Sequence, residues 1–282
     1  MSEIKLKVTV TNLAPQQGIG LAPFWVGFHD GSFDLFNEGE VASDSLESLA
    51  EDGITGLEGT NIPNLEQLLI ASATATGFDL NQLVLLDDVI AEDFALSDAA
   101  ANGGVQSTVF NPVSLPFILG QIPGESISQE ITLDRENLVN NRYFSFASML
   151  FPSNDAFIGN DDPTEIEIFD AEGNFIGADF IVTGDRVWDA GTEVNDEAPV
   201  NVPYTLAEIG NGVDENGTVQ LHPGLQPAGS GGAVDFLVNE EPLFANSDFS
   251  QPDYQVAHVA VELIEETPLL NLPLLMICLY NK

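Results

Sequence analysis

The stretch IKLKVTV, residues 4–10, alternates without a break: Ile4, Leu6, Val8 and Val10 fall on one side, Lys5, Lys7 and Thr9 on the other. A period of two marks a strand buried on one face, because successive side chains of an extended chain point to opposite sides. Further runs of this kind follow in SISQEITL, YFSFASMLF, TEIEIFD, NFIGADFIV and YQVAHVAVELI, between residues 126 and 264. Turn signals separate them, and DAEGN (Asp170 to Asn174) is the plainest hairpin turn. APFWVGFHDGSF reads as another early strand running into a turn at Asp30-Gly31. Short strands at regular spacing predict an all-β domain, a sandwich or barrel.

Helical signals are few and early. Ser43 to Ser45 offers N-caps, Leu46, Leu49 and Ala50 form a stripe, and Gly53 stops the helix. Pro63 opens a second stripe through Leu65, Leu68 and Leu69. Residues 73–124 carry no single period; LNQLVLLDDVIAEDF suits a helix or a loop, and the proline-rich NPVSLPFILGQIPG suits a loop. With no internal repeat and no linker-like segment, the chain reads as one domain over residues 1–264. An apolar tail, 265–282, follows and is interrupted by Pro268 and Pro273.

The charge is lopsided: 45 Asp plus Glu stand against six Lys plus Arg, a formal −39. Nucleic acid and anionic membrane surfaces are poor partners for such a chain, because almost nothing in it neutralises phosphate. Cations are good partners. With 44% hydrophobic and 18% charged residues the composition is that of a folding chain, not a disordered one. The lone Cys278 excludes a disulfide framework and a cysteine zinc site. MSEIKLKVTV lacks the pattern of a signal peptide, and no stretch approaches the ~20 apolar residues of a membrane-spanning helix.

Against this background VWDAGTEVND, residues 187–196, is a dense acidic loop. Close carboxylates have three common explanations: a solvated surface, a general acid/base pair, or a hard-cation site. Asp189 and Glu193 flank Ala190-Gly191-Thr192, and the glycine permits a sharp turn that aims both carboxylates at one point. Calcium requires six to eight oxygens, so another segment must contribute. LFPSNDAFIGNDDP supplies Asp155 in a loop after a strong strand, and loops at one end of a sandwich cluster in space. Asp155, Asp189 and Glu193 together are stable only with a cation among them or with some of them protonated.

At these residues the chain resembles the spondin N-terminal domain in its bacterial form. The resemblance rests on HDGSFDLFNEGEVASDSLESLAEDG (29–53), SFASMLFPSNDAFIG (145–159), VWDAGTEVND (187–196), HPG (222–224) and the last strand near 256–264. Residues from about 73 to 124 match less well, as an enlarged insertion would. The resemblance implies an eight-stranded antiparallel β-sandwich similar to C2 domains; the capped apolar stripes read above place short helices between its early strands. It also implies one Ca2+ held by Asp155, Asp189 and Glu193, the last standing where animal members carry Asp. Asp196 is a further acid that binds or supports. The function implied is a non-enzymatic, extracellular calcium-binding module for adhesion or matrix contacts, with matrix, polysaccharide or a cell-surface protein as partner. The acidic, Lys-poor and Cys-poor profile fits export by a route without an N-terminal signal peptide and folding where calcium is plentiful.

Two other readings compete. His29 in HDG and His222 in HPG, with a metal-bound water, would make a metal-assisted hydrolase if the two histidines meet. Both also suit plain turns at strand ends. A cytoplasmic calcium buffer or sensor would hold many weak sites rather than one. His258 alternates within the last strand and is expected to be exposed. DAEGNFIGADFI fails as an EF-hand loop, with Phe175 where glycine is required and Ile181 in place of the bidentate Glu.

Overall fold

In the computed structural model, residues 2–56, 88–110, 120–198, 200–202, 212–238, 240–251 and 253–266 are described. The helix expected from Pro63, most of the proline-rich stretch at 111–124 and the tail from residue 267 lie outside them.

Two antiparallel sheets pack face to face, so the chain is an all-β sandwich. The first sheet is built from β1 (Glu3–Asn12), β5 (Ser126–Asp134), β8 (Ala178–Thr183) and β13 (Gln255–Glu266), in the order β5-β1-β13-β8. The alternation of residues 4–10 appears directly: Ile4, Leu6, Val8 and Val10 are buried, and the residues between them are partly exposed. On the exposed face Lys7 pairs with Glu262 of β13 at 2.7 Å, and Thr9 hydrogen-bonds Ser128 of β5 at 2.9 Å. Such surface pairs contribute about 0–1 kcal/mol each. The buried face dominates, at roughly 1.5–3 kcal/mol per large apolar side chain.

The second sheet runs β10-β9-β7-β6-β3-β4, with β2 (Gly20–Leu21) also paired to β6. Its members are β3 (Phe24–His29), β4 (Val105–Val109), β6 (Tyr143–Phe151), β7 (Ala156–Gly159), β9 (Val187–Asp189) and β10 (Gln220–Leu221). β11 (Leu237–Val238) and β12 (Glu241–Pro242) form a separate two-stranded ribbon. The strands thus exceed the eight implied by the resemblance, because two-residue strands and β4 widen the second sheet to seven. β4 falls within residues 73–124, where the sequence shows no clear strand period.

β6 is buried along nearly its whole length, because both of its faces are covered. Phe144, Phe146 and Leu150 join Leu6, Val8 and Val259 between the sheets. Ala147 belongs to a second core with Trp25, Leu46, Leu49, Phe94 and Trp188. That core lies beneath α1 (Asp44–Asp52) and α2 (Ile90–Leu96); the shorter α3 (Asp98–Ala101) leads into β4. α1 follows its sequence signals. Ser43 accepts the Leu46 N–H at 3.2 Å as N-cap, and Gly53, at φ +69°, closes the other end.

One expected strand is corrected. Among the described residues, TEIEIFD makes only isolated bridges, Tyr143 to Glu167 and Phe169 to Phe175. The carbonyl of Arg142 accepts from both Ile168 and Phe169, so the pairing slips and a regular ladder cannot continue. The hairpin turn at Asp170 to Asn174 forms as read, with Asp170 N–H donating to the Asn174 carbonyl at 2.9 Å.

Candidate metal centre

The ladder order explains why distant acids meet. Asp189 ends β9 and pairs in register with Ala156 of β7, so Asp155 lies one residue from that rung. On the other side of β9, Gln220 of β10 pairs with Asp189, and His222 follows two residues later. Three neighbouring strands thus deliver Asp155, Asp189 and His222, each buried, with one potential ligand atom of each within 4.8 Å of the others.

The loop after Asp189 is shaped by Gly191, at φ +70°, where a Cβ would lie 2.7 Å from both the amide nitrogen and the carbonyl oxygen of Thr218. Backbone hydrogen bonds Gly217 N–H to Gly191 O (2.7 Å), Glu215 N–H to Thr192 O (2.8 Å) and Val194 N–H to Val213 O (2.8 Å) zip this loop to residues 213–217. The turn aims amides back at the other loop. Asp155 Oδ2 accepts from Thr192 N–H (2.9 Å), Glu193 N–H (3.1 Å) and the Thr192 hydroxyl (3.2 Å). Among the described residues, Asp155 Oδ1 is buried and has no hydrogen-bond partner. An orphaned buried carboxylate oxygen is costly, and it needs a ligand or a proton to be stable.

Asp189 is held at both oxygens, by Gly191 N–H to Oδ1 at 2.8 Å and by the Asn195 amide to Oδ2 at 2.8 Å. Glu193 is buried, and its Oε2 accepts from the Asn154 amide at 3.1 Å. Its carboxylate packs on Gly212, where a Cβ would stand 1.5 Å from Oε1. Asp196 is exposed and lies to the side, accepting from Ala198 N–H and the Asn201 amide at 2.8 Å each. Of the four sequence-derived acids, then, the structure brings Asp155 and Asp189 together, seats Glu193 beside them through its backbone, and leaves Asp196 at the rim.

Burial dominates the electrostatics. Loss of water pushes the Asp155 carboxyl up to about 7, reinforced by the charge of Asp189 and only partly opposed by its hydrogen bonds. Burial likewise raises Glu193 to about 7. Glu51, on the last turn of α1, is raised to about 8 by burial and by the charge of Glu193. His222 is lowered to about 4, because burial disfavours the imidazolium more than Asp189 favours it. Without a cation, this cluster relieves its charge by keeping protons.

Three participants were not placed at the site from sequence. Asn154 and Asn195 each precede one of the aspartates, in PSND and EVND, and that repeated Asn-Asp pair is the signal that was present. Glu51 lies beside the apolar stripe of α1, and no local pattern separates it from a solvated acid. His29 does not join the group. It lies on β3 with three strands between it and β10, and its ring contacts Ser145 at 2.9 Å and Phe33. The two-histidine arrangement required for the hydrolase reading therefore does not form. His258 is partly exposed and pairs with Asp179 at 2.8 Å.

No protein-family model matches the chain, and no curated protein matches it.

Proposed function

We propose that the acids of the β7 and β9 loops hold a calcium ion, and that the chain is a non-enzymatic extracellular module of the spondin N-terminal kind, acting in adhesion or matrix contacts. The single observation that carries the calcium reading is Asp155 Oδ1, buried near Asp189 without a hydrogen-bond partner among the described residues. Asp155, Asp189 and Glu193 offer hard carboxylate oxygens, which calcium prefers, and Asp196 at the rim supports them. A bound ion would supply the positive charge that three buried acids otherwise lack. Asp155 and Glu193 would then be held ionised, and the loops at 152–155 and 189–197 tied together. The formal charge of −39 supports an environment rich in divalent cations. The partner remains of the class already named: matrix, polysaccharide or a cell-surface protein.

His222 within 4.8 Å of both aspartates favours a second reading, a divalent transition metal bound through one nitrogen and two carboxylates. Calorimetric titration of chelator-stripped protein with calcium, and separately with zinc, distinguishes the two. One saturable calcium site, lost in Asp155→Asn and Asp189→Asn, supports the calcium reading. Weak heats unchanged by either substitution reduce the loops to acidic surface.

A further inference from the structure

His222 lies close enough to the acid pair to be counted among the ligands, yet both of its ring nitrogens are already engaged. Gly224 N–H donates to Nδ1 at 3.0 Å, so Nδ1 carries a lone pair and the proton of the neutral ring sits on Nε2. Nε2 is 3.0 Å from Asn195 Oδ1 and donates to it. The Asn195 amide in turn donates to Asp189 Oδ2 at 2.8 Å, and that amide orientation is the one an acceptor-only carboxylate demands. The assignments agree from both ends: Gly224 fixes the ring tautomer, and Asp189 fixes the amide. The ring is also packed edge-on against buried Phe249, with centroids 5.1 Å apart.

The same device occurs far from the acids. His29 Nδ1 accepts from Gly31 N–H at 3.0 Å, and its Nε2 meets the Ser145 hydroxyl at 2.9 Å. Gly31 and Gly224 have nearly the same left-handed backbone, at φ +93° and +101°. His-x-Gly is thus a local turn that locks a ring by its Nδ1 and presents Nε2 to a chosen acceptor. On β3 it serves only the core. After β10 it is aimed at Asn195.

We infer that His222 is a positioning residue and not a ligand: through Asn195 it holds the Asp189 carboxylate in place, and by keeping its own nitrogens occupied it leaves a site of oxygens alone, selective for calcium over zinc. The inference rests on the calcium reading and deepens it. Partners that orient a ligand in this way commonly contribute 10–100-fold in metal affinity. Because His222 and Asn195 act in series, the loss of either breaks the same link.

The test combines nitrogen-15 NMR of the histidine rings with calcium titration of full-length variants. Expected are a neutral Nε2–H tautomer for His222 that calcium leaves unchanged, and about a 10–100-fold weaker calcium affinity in both His222→Ala and Asn195→Ala. The double variant should be no weaker than either single one, and His222→Gln, which keeps an amide donor, should recover most of the affinity. A role confined to folding would lower the melting temperature of His222→Ala and leave calcium affinity intact, which overturns the inference. So would a large ring-nitrogen shift on addition of zinc together with displacement of calcium. A wild type that takes up no calcium overturns the calcium reading and the positioning role with it. Undiminished uptake in both alanine variants overturns the positioning role alone.

Discussion

The backbone N–H of Glu193 points at the carboxylate of Asp155, 3.1 Å from Oδ2. This contact joins the two acidic loops, and together with Thr192 it uses up one oxygen of Asp155 while leaving the other bare. An amide-lined loop has been folded onto one oxygen of an aspartate that lies close to a second, Asp189. The first consequences concern charge.

Asp155→Asn keeps an acceptor for Thr192 and Glu193 and replaces the bare oxygen with a donor. The metal-free variant should therefore be more stable than wild type at pH 8, by about 1–3 kcal/mol, as when a buried charge is replaced by a neutral group. It should also lose any rise in melting temperature with calcium. Calorimetric melts in chelator and in excess calcium check both; a less stable metal-free variant contradicts the picture of an uncompensated buried acid.

The metal-free protein should lose stability as pH rises above about 6.5. The carboxyls of Asp155 and Glu193, raised to about 7, and of Glu51, raised to about 8, stay protonated in the folded chain while their unfolded counterparts ionise near 4. The folded state thus binds more protons, and stability falls until these groups have titrated. His29 and His222, lowered to about 4 from an ordinary value of 6.5, act oppositely. Their contribution is complete above 6.5 and is lost as pH falls toward 4. Between those limits the two sets oppose one another, and above 6.5 the carboxyls act alone. Urea unfolding at pH 6, 7, 8 and 9 should show the decline, and saturating calcium should flatten it. Calcium affinity should rise over the same interval.

Gly191→Ala should weaken both fold and site. The left-handed backbone at φ +70° and the 2.7 Å approach to the Thr218 backbone leave no room for a methyl group. A cost of about 1–3 kcal/mol is expected for strain at such a position. If this glycine sets the aim of the amides at Asp155, calcium affinity falls with it. Denaturant melts and a calcium titration of the variant measure the two effects.

Leu49→Ala removes a fully buried side chain from the core between α1 and the second sheet. The expected loss is about 2–5 kcal/mol. Because α1 also carries Glu51, loosening the helix should allow that carboxyl to ionise more readily. Denaturant melts at pH 6 and pH 9 check this: the decline with pH should be smaller in the variant than in wild type.

Much of the fold was legible in local patterns. Residues 4–10 showed their buried face, Ser43 and Gly53 bounded their helix, and Asp170 to Asn174 made their turn. These features depend on neighbours within a few residues, where side-chain direction, capping and left-handed backbone are decided. β4 and the broken pairing of residues 164–170 were not legible. An edge strand and a slipped ladder depend on what lies alongside, and the period of TEIEIFD is that of a strand whether or not a partner keeps register. At the site, the sequence identified the two acidic loops, and the glycine between Asp189 and Glu193 explained how one of them turns.

By itself, then, the sequence determined an all-β chain, the acid-rich turns and their chemistry, because alternation, caps and charge are properties of short segments. Only the tertiary structure decided that Asp155, Asp189 and His222 come from three adjacent strands, and that Asn154, Asn195 and Glu51 close around them. It also set His29 apart from His222. Strand order is a long-range choice made by burying both faces of the second sheet. Whether a carboxylate keeps water, finds a donor or is left bare follows from that burial, and no spacing along the chain encodes it.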